Sequence, residues 1–278
     1  MTDLDQVKKF WNENPLWTGE SNQDPGSIEF YEEHRSVYIS DCFAGAFDIR
    51  FYPPPRPNGQ ALQVLDLGCG IGFWTAELGM RGISGLHSAD LTENALRLTQ
   101  QRLDCYGLEA SLTLQNAESM TFPDAYFDHV NCQGVIHHTP DTEATIAEIA
   151  RVMRPGGTAS ISVYYRNFFL RLWPYIRWVG VLLAGLGGGL KGRGRENIFL
   201  ESNPDEIVRL YDGLENPVGK SYTRRQFFEM LSEHFHVDET FLHFFPARSL
   251  PFRLPKRLHK WLDQRLGFMI YASVRKPE

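Results

Sequence analysis

The sequence predicts an α/β protein built on a doubly wound, mostly parallel sheet, and three observations carry that reading. Between residues 61 and 165, short apolar runs of strand length alternate with helical periodicity. In "VLDLGCGIGFWTAEL", residues 64–78, three glycines fall within five positions directly after the first apolar run, where a strand has to turn into a helix. The chain of 278 residues, 42% hydrophobic and 22% charged, is long enough to bury one sizeable core. We therefore expect a single domain over 1–278, with a helical N-terminal cap (1–60), a ligand-binding core (61–165) and two insertions forming a lid (166–222 and 245–267).

Each element follows in order. Residues 1 to about 56 look helical and are rich in Trp, Phe and Tyr; they close on "YPPPRPNG", which has to leave the helix and act as a linker. The runs 61–67, 84–90, 110–115, 126–132 and 158–165 read as five strands. A helix over 92–103 starts on the N-cap Thr92, and a second over 141–153 sets Ile146, Ile149 and Val152 at three-residue steps. After the fifth strand come about 55 inserted residues, a helix beginning at Thr223, a strand near "HVDETFLHF", the second insertion and a last strand, "GFMIYASV". Strands alternating with helices place a ligand at the carboxyl ends of the strands.

Composition narrows the ligand. A net charge of −6 and a pI near 5.9 argue against a nucleic-acid binder that relies on a basic surface, and favour a small or lipid-like partner. Cys42, Cys69, Cys105 and Cys132 are scattered without a CxxC pair, so we expect reduced thiols and no metal site. The opening residues lack the basic and apolar regions of a signal peptide, and Trp178–Leu190 holds five glycines in thirteen residues, too short and broken to span a bilayer. The expectation is a cytoplasmic protein, at most peripheral to a membrane.

The glycine loop discriminates between cofactors. A dinucleotide fingerprint is GxGxxG; Gly68 and Gly70 fit it, but Phe73 occupies the third position and Gly72 falls one residue early. The form is DxGxGxG, led by Asp66. With these residues, an acid at Asp90, "NAES" after the third strand, "NCQGVIHH" after the fourth and "RVMRPGG" before the fifth, the chain resembles the class I S-adenosylmethionine (SAM)-dependent methyltransferases, and is similar to the small-molecule type acting in ubiquinone and menaquinone biosynthesis.

That resemblance implies a Rossmann-like sheet of seven strands with the last one antiparallel, and SAM as cofactor. It implies that Gly68 and Gly70 pass against the methionine part, that Asp66 orients the loop or the ammonium group, and that Asp90, with Leu91 beside it, takes the ribose hydroxyls. Ala117 and Glu118 would meet the adenine, and Cys132 and Gln133 the methionine tail. The reaction implied is methyl transfer to a small organic or lipid-like acceptor. A SAM-binding protein without catalysis, using its lid to bind a partner, is the second reading, and a nicotinamide-dependent oxidoreductase the third.

Transfer from a sulfonium is an in-line displacement with an activated leaving group, so the protein mainly aligns the reactants, and a base helps only when the nucleophile arrives protonated. His138 after the fourth strand and Tyr164 or Tyr165 after the fifth are the candidates for that role. Tyr31, His34 and Tyr38 recur at helical spacing and either close over the site or pack in the core. From Thr158 to Arg195 the chain carries Arg166, Arg171, Arg177, Lys191, Arg193 and Arg195 without an acid, interleaved with aromatics such as Trp173, and Phe245 to Leu262 is similarly basic. Such stretches suit an apolar or anionic acceptor, a membrane surface, or a solvated basic face on an ordinary lid. The two insertions are expected to form one lid that selects the acceptor through Trp173 and Trp178.

Overall fold

The computed structural model describes residues 4–55, 61–186 and 201–278. The second half of the "YPPPRPNG" linker, the glycine run at 187–189 and Lys191, Arg193 and Arg195 lie outside them. Apolar runs become the strands Gln63–Leu67 (β1), Gly85–Asp90 (β2), Ser111–Leu114 (β3), Phe127–Cys132 (β4) and Met153–Tyr165 (β5). All six residues of β4 are buried, as a central parallel strand covered on both faces requires. Ser221–Tyr222 (β6), His236–His243 (β7) and Met269–Arg275 (β8) complete the set.

The sheet order is β3-β2-β1-β4-β5-β8-β7, with β6 pairing beside the end of β5. β8 runs antiparallel to both of its neighbours while β1 to β5 are parallel, so the Rossmann-like seven-stranded sheet with a reversed last strand is present, with the short β6 added. Chain order reverses between β1 and β4, which makes their carboxyl ends the ligand crevice.

The helices start where side chains can satisfy free N–H groups. Thr92 accepts from Ala95 N at the head of Glu93–Tyr106 (α4), and Asp141 from Ala144 N at the head of Thr142–Val152 (α5). Thr223 and Gln226 form a reciprocal capping box on Arg224–Ser232 (α8). The N-terminal segment folds as Leu4–Glu13 (α1) and Ile28–Val37 (α2), followed by short turns. It is held by aromatic packing: Phe51 lies 5.1 Å from both Trp74, on Phe73–Gly79 (α3), and Tyr271 of β8. The first insertion holds Phe168–Gly185 (α6) and Pro204–Tyr211 (α7), and the second Lys256–Leu266 (α9).

A buried ionic cluster ties the second insertion to the sheet and the N-terminal segment. His243 of β7 reaches Asp263 of α9 (Nδ1–Oδ2 2.5 Å) and Asp48 (Nε2–Oδ2 3.4 Å), and Arg50 pairs with Asp48 and with Glu239. Burial disfavours the imidazolium, but hydrogen bonds and charge from Asp263 and Asp48 outweigh it and raise the His243 pKa. A folded-state pKa above the unfolded value gives stability that is full below about pH 6.5 and is lost as the pH rises through the folded pKa. The expected outcome is that the gap in thermal midpoint between the wild type and His243→Gln is wide near pH 6 and narrows toward pH 9. A gap constant over that range would show that the cluster holds no extra proton.

Candidate active site

A cavity of about 240 Å³ opens at the carboxyl ends of β1, β2, β4 and β5, under the N-terminal segment. Gly68, Gly70 and Gly72 all have left-handed φ angles (+71°, +56° and +76°), which disfavour any side chain. Their surroundings differ. A Cβ on Gly68 would stand 2.3 Å from Val135 Cγ2, and one on Gly72 3.0 Å from Thr99, whereas nothing lies within 4 Å of a Cβ on Gly70. Two of the glycines thus answer to packing inside the protein, and Gly70 is the one that leaves room.

Asp90 sits across from that opening. Its Oδ2 accepts from Gly70 N (3.0 Å), and its Oδ1 from Thr92 N and Thr92 Oγ1 (both 2.9 Å). Burial raises its pKa and these donors oppose the rise, so the carboxylate is fixed in place. Leu91, Ala117 and Gln133 line the same cavity with Gly68. Gln133 Nε2 donates to Ser160 Oγ (2.6 Å) while its Oε1 is buried without a partner, an acceptor waiting for a donor.

Seven residues expected at the site do not line the cavity; one is Tyr165, the alternative to Tyr164, which packs against the core. Asp66 is buried beneath the loop, bound to Thr75 and Asn131. Glu118 turns its carboxylate to Asp141 N (2.7 Å) at the head of α5. Cys132 points into the core, where burial raises its thiol pKa. The Tyr31 hydroxyl donates to Leu98 O (2.5 Å), so of the helical triple only His34 and Tyr38 face the cavity. Trp173 Nε1 donates to Glu201 O (2.8 Å) and Trp178 is exposed, so neither tryptophan of the first insertion reaches the cavity.

The other half of the cavity comes from distant segments. His138 Nδ1 lies 2.8 Å from Val218 O; a carbonyl only accepts, so the proton sits on Nδ1. The Nε2 of His138 then lies 3.4 Å from Asp212 Oδ2, and the Tyr164 hydroxyl donates to the same carboxylate (3.0 and 3.2 Å). The Trp11 ring packs 5.0 Å from His138. Asp212 ends α7, inside the first insertion, and nothing in its "YDGLENP" setting distinguishes it from an ordinary turn acid.

Arg248 in the second insertion also lines the cavity, paired with Glu20 (2.8 Å) and Asp41 (3.2 Å). The insertions thus meet the cavity through Tyr211, Asp212 and Arg248. His34 faces Arg102 Nη1 across 3.5 Å with its Nδ1; a guanidinium only donates, so His34 carries its proton on Nε2. Burial, then the charges of Arg102 and Arg248, lower its pKa and keep it neutral.

Comparison with known proteins identifies the family. Residues 65–161 match the family described as "Methyltransferase domain". A ubiquinone biosynthesis O-methyltransferase from Azoarcus sp. is 37% identical over 110 residues, covering 38% of this chain and 46% of that protein, less than half its length. One from Aromatoleum aromaticum is 34% identical over 214 residues, covering 72% of this chain and 88% of that protein. The solved magnesium protoporphyrin IX methyltransferase from Synechocystis, with bound SAH, shares the fold: TM-score 0.54 at 13% identity, over 99% of this chain and 100% of that one. The chain belongs to the class I SAM-dependent methyltransferases, and SAM is its cofactor.

Proposed function

We propose that this methyltransferase transfers a methyl group to a neutral aromatic hydroxyl on a small, apolar acceptor. The observation that carries the reading is His138, with Nδ1 fixed as a donor and Nε2 beside the Asp212–Tyr164 pair, in the wall of the same cavity as Gly70 and Asp90. An imidazole nitrogen without a proton, facing a carboxylate, is an unfavourable pair that one incoming proton relieves. A hydroxyl placed there supplies it. The names of the relatives, ubiquinone biosynthesis O-methyltransferases, support an aromatic oxygen acceptor. Trp11, Trp17, Tyr38, Phe73 and Phe244 in the cavity wall suit a flat apolar body.

The residues present fit SAM. Asp90 would hold the ribose hydroxyls, the Gly68–Gly70 loop and the Gln133 Oε1 the methionine part, and Leu91 and Ala117 the adenine side. When bound, the cofactor supplies a methyl group on a cationic sulfur that departs as a neutral thioether. The chain's own work is on the acceptor. His138 Nε2 takes the hydroxyl proton, the imidazolium so formed is held between Val218 O and Asp212, and Tyr164 keeps the Asp212 carboxylate in place. The aromatic walls exclude water from the oxygen that remains.

Four outcomes are expected. Labelled SAM offered with a catechol bearing an apolar chain, and with matching amine and thiol analogues, should yield the O-methyl product by mass analysis; transfer to the amine or thiol alone, or SAM binding with no transfer to anything in a host extract, would overturn the reading. Asp90→Ala should weaken SAM binding by about 1.5–3 kcal/mol, the range for hydrogen bonds to a charged group, with the fold intact by circular dichroism. An unchanged dissociation constant in calorimetry would remove Asp90 from the site. His138→Ala should lower kcat by about 10²- to 10⁴-fold at unchanged SAM affinity. Asp212→Asn, which removes the carboxylate beside His138 Nε2, should lower kcat at unchanged SAM affinity; an unchanged kcat would deny Asp212 a part in the site.

A further inference from the structure

We propose that the outward face of α6, with the basic end of the second insertion beside it, seats the enzyme on an anionic lipid surface. At about 100° per residue, Phe168, Arg171, Tyr175, Trp178, Val179, Leu182 and Leu186, just past the helix end, fall within one arc of roughly 100°. These residues are exposed: Tyr175 at 78%, Leu186 at 73% and Trp178 at 60% of their surface. Leu170 and Gly180, on the opposite side, are buried. A stripe of six apolar or aromatic side chains turned to solvent is a surface that needs a partner. Among the described residues no helix is long and apolar enough to cross a membrane, so α6 would lie along the surface.

Charge selects the partner. The exposed side chains Arg253, Lys256, Arg257, Lys260 and Arg265 accompany exposed Phe252, Leu258 and Trp261 on and before α9. Asp263 is the single acid between 246 and 265, and it is buried on His243. Asn167, at the head of α6, donates to Leu266 O and Gly267 O at the end of α9, which joins the two surfaces. Among the described residues no carboxylate pairs with Arg171, Arg253, Lys256, Arg257 or Lys260. A second copy docked by two-fold symmetry would set this basic patch against itself. Anionic headgroups over an acyl layer answer both its charge and its aromatics. α6 packs on α7, whose end supplies Tyr211 and Asp212 to the cavity, so an apolar acceptor dissolved in the lipid would lie close to the site. The last step rests on the proposed acceptor class; the lipid binding itself does not.

The test uses the full chain and vesicles, without an acceptor. Flotation should recover the protein with vesicles of phosphatidylcholine and phosphatidylglycerol at low salt, with release at high salt and none on phosphatidylcholine alone. Trp178→Glu with Leu182→Glu should lower that partitioning at least about tenfold while SAM affinity by calorimetry is unchanged. Lys256→Glu with Lys260→Glu should lower it and flatten its salt dependence. Absence of binding to the anionic vesicles overturns the proposal. So does a dimer that Trp178→Glu and Leu182→Glu dissociate, which assigns the face to a second copy. A drop in thermal midpoint for that pair without vesicle binding would place the stripe against another part of this chain.

Discussion

The cofactor end of the molecule depends on one buried carboxylate. Asp66, at the end of β1, accepts from Thr75 Oγ1 of α3 (2.6 Å) and from Asn131 Nδ2 of β4 (2.8 Å), and Thr75 Oγ1 also meets Ser88 Oγ of β2 (2.8 Å). Burial raises its pKa to about 6, against the pull of those donors. Four elements on both sides of the switch point are thereby fixed to one group, directly beneath the glycine loop. The loop has no freedom left at either end, and its Gly70 N–H is delivered to Asp90. Removing Asp66 would leave Thr75 and Asn131 buried without their acceptor, which costs more than the bonds themselves contribute.

This arrangement explains why the motif was legible in the sequence while the role of each residue was not. The run from Val64 to Leu78, Thr92 as a helix cap and Thr223 with Gln226 are local patterns, and each stands where the local physics puts it. Asp66 keeps the same spacing whether it touches the cofactor or braces the loop, so only its hydrogen bonds tell the two apart. Glu118 and Cys132 lie outside the cavity lining for a related reason. Neighbours in sequence after a strand alternate in direction, so Ala117 and Gln133 face the cavity while Glu118 and Cys132 turn to α5 and the core.

The other half of the cavity was legible only in part, because its residues are brought together by contacts between distant segments. His138 and Tyr164 follow from their places after β4 and β5. Asp212, Trp11 and Arg248 carry no local signal, and they reach the cavity because the aromatic cluster around Phe51 and the His243 cluster fix the N-terminal segment and the second insertion against the sheet. Trp173 and Trp178 show the converse: an aromatic, basic helix read as a lid presents its tryptophans to α7 and to solvent. Composition identified the stretch as unusual, and only the helix register decides which way its stripe points.

The charges in that half bear on what can be methylated. Arg248 lies 5.5 Å from the Trp17 ring centroid in the aromatic wall, but Glu20 and Asp41 already hold it. It therefore has little attraction left for an anionic substituent. His34 is kept neutral by burial and by the charges of Arg102 and Arg248, and Asp212 sets a carboxylate beside His138. A carboxylate or phosphate acceptor would face that charge in a site largely closed to water, where repulsion is poorly screened. Under the proposed reading a neutral hydroxyl would meet no such penalty, and its proton on His138 would form an imidazolium paired with Asp212.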